Sequence, residues 1–294
     1  MRLLLPLLLA LPLLLAACGG TGAGTSEPTG TQTGQGPDFL ILAFSGQRAN
    51  LTTATPNEAY LLADGGTWDL AQALVDSGAT VEVFEYASAF FDLDTSGTLV
   101  HPWDNADFAE FGFLRAITNL EGVRDGWIAG KDNPTRVIVI GHDHGAVWAH
   151  LALLVVEDIP VEVLIDLDAD STAWGADSLT GLPARNWDSV IASWTQQNGA
   201  DWAFDVWNVV DAFSVPGVDG FLDVEDVVPA TVGTNIELFT TSPLLHDGDD
   251  NFRLDGSRSG IETTEVFDAH SSLPRSGSGA MTLAIDRTLE LLGR

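Results

Sequence analysis

The chain is poor in cysteine and in positive charge. Its single cysteine, Cys18, leaves no intramolecular disulfide to form. Stability must then come from a core, and 294 residues at 45% hydrophobic content can supply one. Lysine occurs once, at Lys131; the other eleven of the twelve basic residues are arginines, set against 42 acidic residues for a formal net charge of −30. A field of that sign repels phosphate and argues against nucleic acid or an anionic membrane surface as a partner. The acids are spread along the whole chain, which reads as a solvated surface rather than an acidic functional patch. Tyrosine occurs twice, as Tyr60 and Tyr86. No internal repeat is visible.

The first residues form a targeting segment. Arg2 provides a minimal positive start, and Leu3 to Leu15 is almost all leucine, interrupted by Pro6 and Pro12. That run is shorter than the roughly 20 apolar residues a membrane-spanning helix needs, and its shape is that of a signal peptide. It ends in Leu15-Ala16-Ala17-Cys18, which resembles the bacterial lipobox. The resemblance implies that residues 1–17 are removed and that Cys18 is lipidated. Residues 19–37 are Gly, Thr, Ser, Gln and Pro with one Glu and one Ala, a composition that cannot bury enough surface to fold. With Cys18 they read as a tether, placing the rest of the chain in the cell envelope. Residues 38–294 read as one domain.

In that domain buried-strand runs alternate with helical stretches. Phe39 to Phe44, Val81 to Tyr86, Arg136 to Ile140, Val161 to Leu167, Phe204 to Val210 and Asn235 to Thr241 read as strands. Thr67 to Ser77 has helical spacing, with Trp68, Ala71, Leu74 and Val75 on one face. Phe111 to Ile128 reads as a helix broken at Gly122. Ala146 to Val156 is apolar nearly all round, hence buried, and Ser278 to Leu292 closes the chain as an amphipathic helix. Continuous apolar strands separated by helices predict an α/β fold with a mostly parallel sheet covered on both faces. Trp174, Trp187, Trp194 and Trp202, in residues 171–203, suggest a small cap.

The chemistry concentrates at Gly141-His142-Asp143-His144-Gly145, between a buried strand and a buried helix. This layout is that of a nucleophile elbow, Gly-x-Ser-x-Gly, where a strained turn lifts the central side chain and the helix N-terminus aims its free N–H groups at the reacting centre. The motif resembles the α/β-hydrolase superfamily, in particular lipase- and esterase-like members with Gly-His-Ser-His-Gly elbows, over 38–294. The expected serine is Asp143. Epoxide hydrolases and haloalkane dehalogenases in that superfamily use an aspartate, which attacks carbon to form an ester that water later cleaves. This chain departs from both: neither tyrosine lies where a cap tyrosine is expected, and His144 stands where the dehalogenases carry a halide-binding Trp.

The resemblance implies a partner histidine near the closing helix and an acid in between. His270 fits the first, with His246 as rival; Asp211 fits the second, with Asp247 and Asp249 as alternatives. Asp211 would orient His270, and His270 would activate the hydrolytic water. Oxyanion donors would be the His144 backbone N–H and one from Gly46 or Gln47. His142 reads as a packed elbow residue and His150 as a core histidine. A metal site on His142 and His144 lacks further ligands. Asp92-x-Asp94-x-Ser96-Gly97 resembles half an EF-hand calcium loop, yet position twelve is Trp103. The expectation is a hydrolase without cofactor or metal, acting on a small-molecule or lipid-like substrate that is an ester or another carbon electrophile. The competing expectation is a non-catalytic binding module of the same fold.

Overall fold

The computed structural model describes residues 35–47, 59–93, 110–156, 158–171, 174, 209–240 and 251–294. Cys18, His246, Asp247, Asp249, Trp103, Trp187, Trp194 and Trp202 lie outside these residues.

Six strands form one sheet in which every pairing is parallel: β1 (Phe39–Phe44), β2 (Val81–Tyr86), β3 (Arg136–His142), β4 (Val161–Leu167), β6 (Val232–Thr240) and β8 (Ile261–Val266), in the order β2-β1-β3-β4-β6-β8. Two-residue strands β5 (Val227–Val228) and β7 (Phe252–Arg253) make a separate parallel pair. Side chains alternate across the sheet, so one set of strand residues buries each face. Leu40, Leu42, Val137 and Val139 pack with helices α3 (Phe113–Val123) and α4 (His144–Val155). Phe39, Ile41, Ile138 and Ile140 pack with α1 (Leu61–Asp64), α2 (Gly66–Asp76) and α5 (Gly279–Leu292). A parallel sheet covered on both faces is the expected architecture.

Several elements differ from expectation. The buried stripe of α2 is Thr67, Leu70, Ala71 and Leu74, at the i, i+3, i+4, i+7 spacing, which leaves Trp68 and Val75 exposed. Gly122 does not break α3, which runs through it into a π-helical turn at Arg124–Ile128. β6 begins at Val232, ahead of the expected Asn235. Of the strand expected over Phe204 to Val210, only Val209 and Val210 are among the described residues, and they are not in a strand. β8 has no apolar run, only IETTEV; as an edge strand it needs little burial, and Thr264 and Glu265 sit in solvent. Ser278 caps α5 by accepting from Met281 N–H at 3.0 Å.

The two ends of the described chain meet at the amino edge of the sheet. Asp38 and Thr80 exchange hydrogen bonds before β1 and β2, and the Pro37 carbonyl accepts from Thr135 Oγ1 at 2.7 Å. The Arg294 guanidinium lies over the Phe39 ring, 5.5 Å from its centroid. The site occupies the opposite, carboxyl edge.

Candidate functional site

Three adjacent strands deliver the site. β3 ends in the elbow, and β1 ends on one side of it in Ser45-Gly46-Gln47. On the other side β4 runs directly into Asp168. Asp143 sits at φ 56 and ψ −134, a strained conformation for a residue with a side chain. Its neighbours leave no alternative. A Cβ on Gly145 would land on the Phe44 carbonyl oxygen, and one on Gly141 would sit 2.5 Å from Ala146 Cα. The glycines allow β3, β1 and α4 to close around the turn.

The Asp143 carboxylate divides its two oxygens. Oδ2 accepts the Gln47 N–H at 2.7 Å. Oδ1 lies 3.7 Å from His270 Nε2, an ionic contact rather than a hydrogen bond. On the far side of the ring, His270 Nδ1 meets Asp168 Oδ2 at 2.7 Å. The elbow carboxylate, an imidazole and a second carboxylate therefore stand in a line, as expected for Asp143 and His270.

The second carboxylate is not the one expected. Asp211 is exposed, and its backbone N–H donates to Asp223 Oδ1; Asp168 occupies the place at His270 Nδ1. The reason is sheet order. β4 lies next to β3, so the residue that follows β4 arrives one strand from the elbow. Asp168 is fully buried, with φ 49. Thr240 at the end of β6 anchors it, donating its N–H to Oδ1 at 2.8 Å and its hydroxyl to Oδ2 at 2.9 Å. Burial works against the charge on Asp168, but the hydrogen bonds from His270 and Thr240 hold its carboxyl below the ordinary range. For His270, burial opposes the charged ring. The Asp168 hydrogen bond and the charges of Asp143, Asp168 and Asp170 outweigh it, and the ring keeps its proton to a higher pH than an ordinary histidine.

Two other expectations change. Gly46 N–H donates to the Tyr60 hydroxyl at 3.1 Å and is committed there, so Gln47 is the donor of that turn that faces Asp143. Gly46 still matters sterically, since a Cβ would come 2.6 Å from Asp143 Oδ2. His142 is more than packing: Nδ1 bonds the Tyr60 hydroxyl and Nε2 meets the His270 carbonyl oxygen at 3.0 Å. Both ring nitrogens are occupied, which removes His142 from any metal site, and among the described residues no group of three metal-binding side chains occurs. Asp92 is likewise engaged, by Gly112 N–H and Arg115. His144, one residue past the elbow, is buried with its ring edge-on to Trp174, which packs on Trp148 at 4.3 Å.

His150 is a core histidine, as expected, with a carboxylate partner. Nε2 meets Asp166 Oδ2 at 3.1 Å and Nδ1 meets the Val227 carbonyl at 3.0 Å. Asn235 donates to the same Asp166 oxygen at 2.6 Å.

No protein-family profile matches the chain, and no curated protein matches it in sequence. Solved structures do resemble it. One is Est1E from Butyrivibrio proteoclasticus with ferulic acid bound, at 15% identity and TM-score 0.40, covering 87% of this chain and 90% of that one. An esterase from Pyrococcus furiosus is 12% identical at TM-score 0.45, covering 88% and 82%. A dienelactone hydrolase from Anabaena variabilis is 10% identical at TM-score 0.39, covering 88% and 87%. Likeness this distant says nothing about activity. The all-parallel sheet, its helices on both faces and the strand–elbow–helix turn themselves make the fold α/β-hydrolase-like.

Proposed function

We propose that the protein is a hydrolase that opens a carbon electrophile through an ester on Asp143. The observation that carries this reading is the hydrogen bond from Gln47 N–H to Asp143 Oδ2. In an acyl-transfer enzyme that N–H waits for the substrate's oxygen. Here the protein's own carboxylate holds it, and a carboxylate would also repel a developing substrate oxyanion. The arrangement suits a reaction in which the oxyanion forms on Asp143 itself.

Oδ1 attacks the substrate carbon, and the leaving group departs with its bonding electrons. Oδ1 becomes the ester oxygen, and Oδ2, still on Gln47 N–H, becomes the ester carbonyl. His270 Nε2 then takes a proton from water as the water oxygen adds to Cγ. Negative charge collects on Oδ2, where Gln47 N–H stabilises it, joined in this reading by the His144 N–H at the start of α4. Collapse expels the alcohol oxygen, which takes the proton back from His270, and leaves Asp143 with one oxygen from water. Asp168 orients the ring and stabilises its charged form. Every step uses groups of this chain, with no cofactor.

The full chain, assayed on 1-bromobutane, styrene oxide and p-nitrophenyl butyrate, is expected to turn over an alkyl substrate, and Asp143→Ala is expected to abolish it. A single turnover in H₂¹⁸O should place ¹⁸O in the peptide carrying Asp143. Turnover that survives Asp143→Ala, or that leaves the peptide unlabelled, rejects the mechanism. The filled hydrogen bond also fits an inactive binding module. A silent native protein, with Asp143→Ser alone cleaving the ester, would favour that reading. We further propose that the enzyme works from the cell envelope, held by lipid on Cys18, on a small-molecule or lipid-like substrate.

A further inference from the structure

Tyr60 and His142 stand outside the line Asp143–His270–Asp168, Tyr60 with its ring in the core beside Leu61 and Leu70. Tyr60 lies just ahead of α1, buried with 3% of its surface exposed, and its hydroxyl meets both the Gly46 N–H and His142 Nδ1. The roles in this chain of contacts follow by elimination. The His270 carbonyl can only accept, so His142 Nε2 carries a hydrogen. In the neutral ring Nδ1 is then bare and accepts from the Tyr60 O–H. The Gly46 N–H can only donate, so it donates to the Tyr60 oxygen. All donors run one way on the Tyr60 side: Gly46 N–H to Tyr60 Oη–H to His142 Nδ1. A charged His142 would turn a second hydrogen toward the phenol and break the sequence.

The two ends of this chain are the two halves of the machinery. Gly46 immediately precedes Gln47, whose N–H holds Asp143 Oδ2. The carbonyl bonded by His142 belongs to His270 itself, whose ring faces Asp143 Oδ1. The His142 and His270 rings also lie against each other, with centroids 4.6 Å apart. His270 stands on a single 3-10 turn, His270–Ser272, none of whose residues is fully buried. The His142 bond adds to the turn's own backbone bonds and to the Asp168 contact in fixing that ring.

We propose that Tyr60 and neutral His142 are positioning residues, a directed hydrogen-bond relay that sets the spacing between Gln47 N–H and the His270 ring across Asp143. The proposal rests on the Asp143 ester reading for its effect on rate, while the relay itself can be observed without substrate. A misplacement of the ring by about 1 Å costs up to about a hundredfold in rate when the reacting groups must align.

The test uses the full chain with ¹⁵N-labelled imidazoles, as native protein, Tyr60→Phe, His142→Gln and His142→Leu. The native His142 should show a protonated Nε2 and a bare Nδ1. Tyr60→Phe should shift the low-field resonance of the His270 Nδ1–H on Asp168, with little change in melting temperature. On 1-bromobutane, Tyr60→Phe and His142→Leu should lower kcat by about tenfold to a hundredfold with KM little changed. His142→Gln, whose amide can both accept and donate, should recover much of the loss. A native His142 protonated on Nδ1 would overturn the proposal. So would a Tyr60→Phe variant whose His270 resonance and kcat both match the native protein. A native protein that turns over nothing defeats the ester reading alone, since the resonances still decide the relay.

Discussion

At the scale of single residues, the proposed mechanism turns on the proton of His270. The ring must be unprotonated to take a proton from water, and Asp168 and Asp143 hold its proton to a pH above that of an ordinary histidine. Activity should therefore rise with pH through that raised value. Asp168→Asn removes the hydrogen bond that does most to raise it. The expected result is an acid limb moved to lower pH, with kcat lower by at least about a hundredfold because the charged ring has lost its partner. A pH–rate profile of the variant checks both, and an unmoved limb would contradict the assignment of Asp168. The sequence made Asp143 and His270 legible because each carries a local mark: two glycines around a strand–helix turn for one, the approach to the last helix for the other. Asp168 was visible only as the residue after a buried strand. In a chain with 42 acids, adjacency of β3 and β4 in the sheet singles it out, and strand order is not written in local pattern. Tyr60 was hidden for the same reason, since 82 residues separate it from His142.

At the scale of elements, the carboxyl ends of β1 and β2 carry a load the sequence did not announce. Glu85 on β2 accepts the Leu62 N–H at 2.8 Å. The Ser45 hydroxyl oxygen at the end of β1 accepts the N–H groups of Tyr60 and Leu61. Glu110 takes the Ala59 N–H at 2.7 Å. Burial pushes the Glu85 carboxyl up to about 7, opposed by the Leu62 N–H and aided by the charge of Glu110. The folded-state value thus lies above the ordinary 4.5, so between those two pH values the folded protein binds more protons than the unfolded one. Its contribution to stability grows as pH falls from about 7 toward 4.5. Glu85→Gln should flatten the dependence of melting temperature on pH across that window and raise it at pH values above the window. An unchanged slope would show that Glu85 does not titrate there. Strand positions were legible wherever a strand is buried on both faces, as in β1, β3 and β4. β8 escaped because an edge strand needs no apolar run, and the buried face of α2 was misjudged because Trp68 and Val75 are apolar without being covered.

At the scale of the whole molecule, charge dominates. A formal net charge of −30 makes the folded state repel itself, and salt screens that repulsion over about 10 Å at 0.1 M. Raising sodium chloride from about 20 mM to about 0.5 M should raise the melting temperature; a fall would mean that ion pairs such as Arg136–Glu162 and Arg287–Glu262 outweigh the repulsion. The proposed envelope location rests on Cys18. Cys18→Ser should abolish palmitate incorporation and move the protein from the membrane to the soluble fraction, and labelling that persists would place the lipid elsewhere or reject the lipobox.

The meeting of Pro37, Asp38 and Arg294 at the amino edge of the sheet fixes where the proposed tether would join the domain. The chain enters β1 at one pole, and Asp143 opens at the other, a strand length of roughly 20 Å away. If Cys18 carries lipid as proposed, the chain reaches the membrane from the pole away from Asp143, and the point of attachment does not crowd the carboxyl edge where substrate would enter.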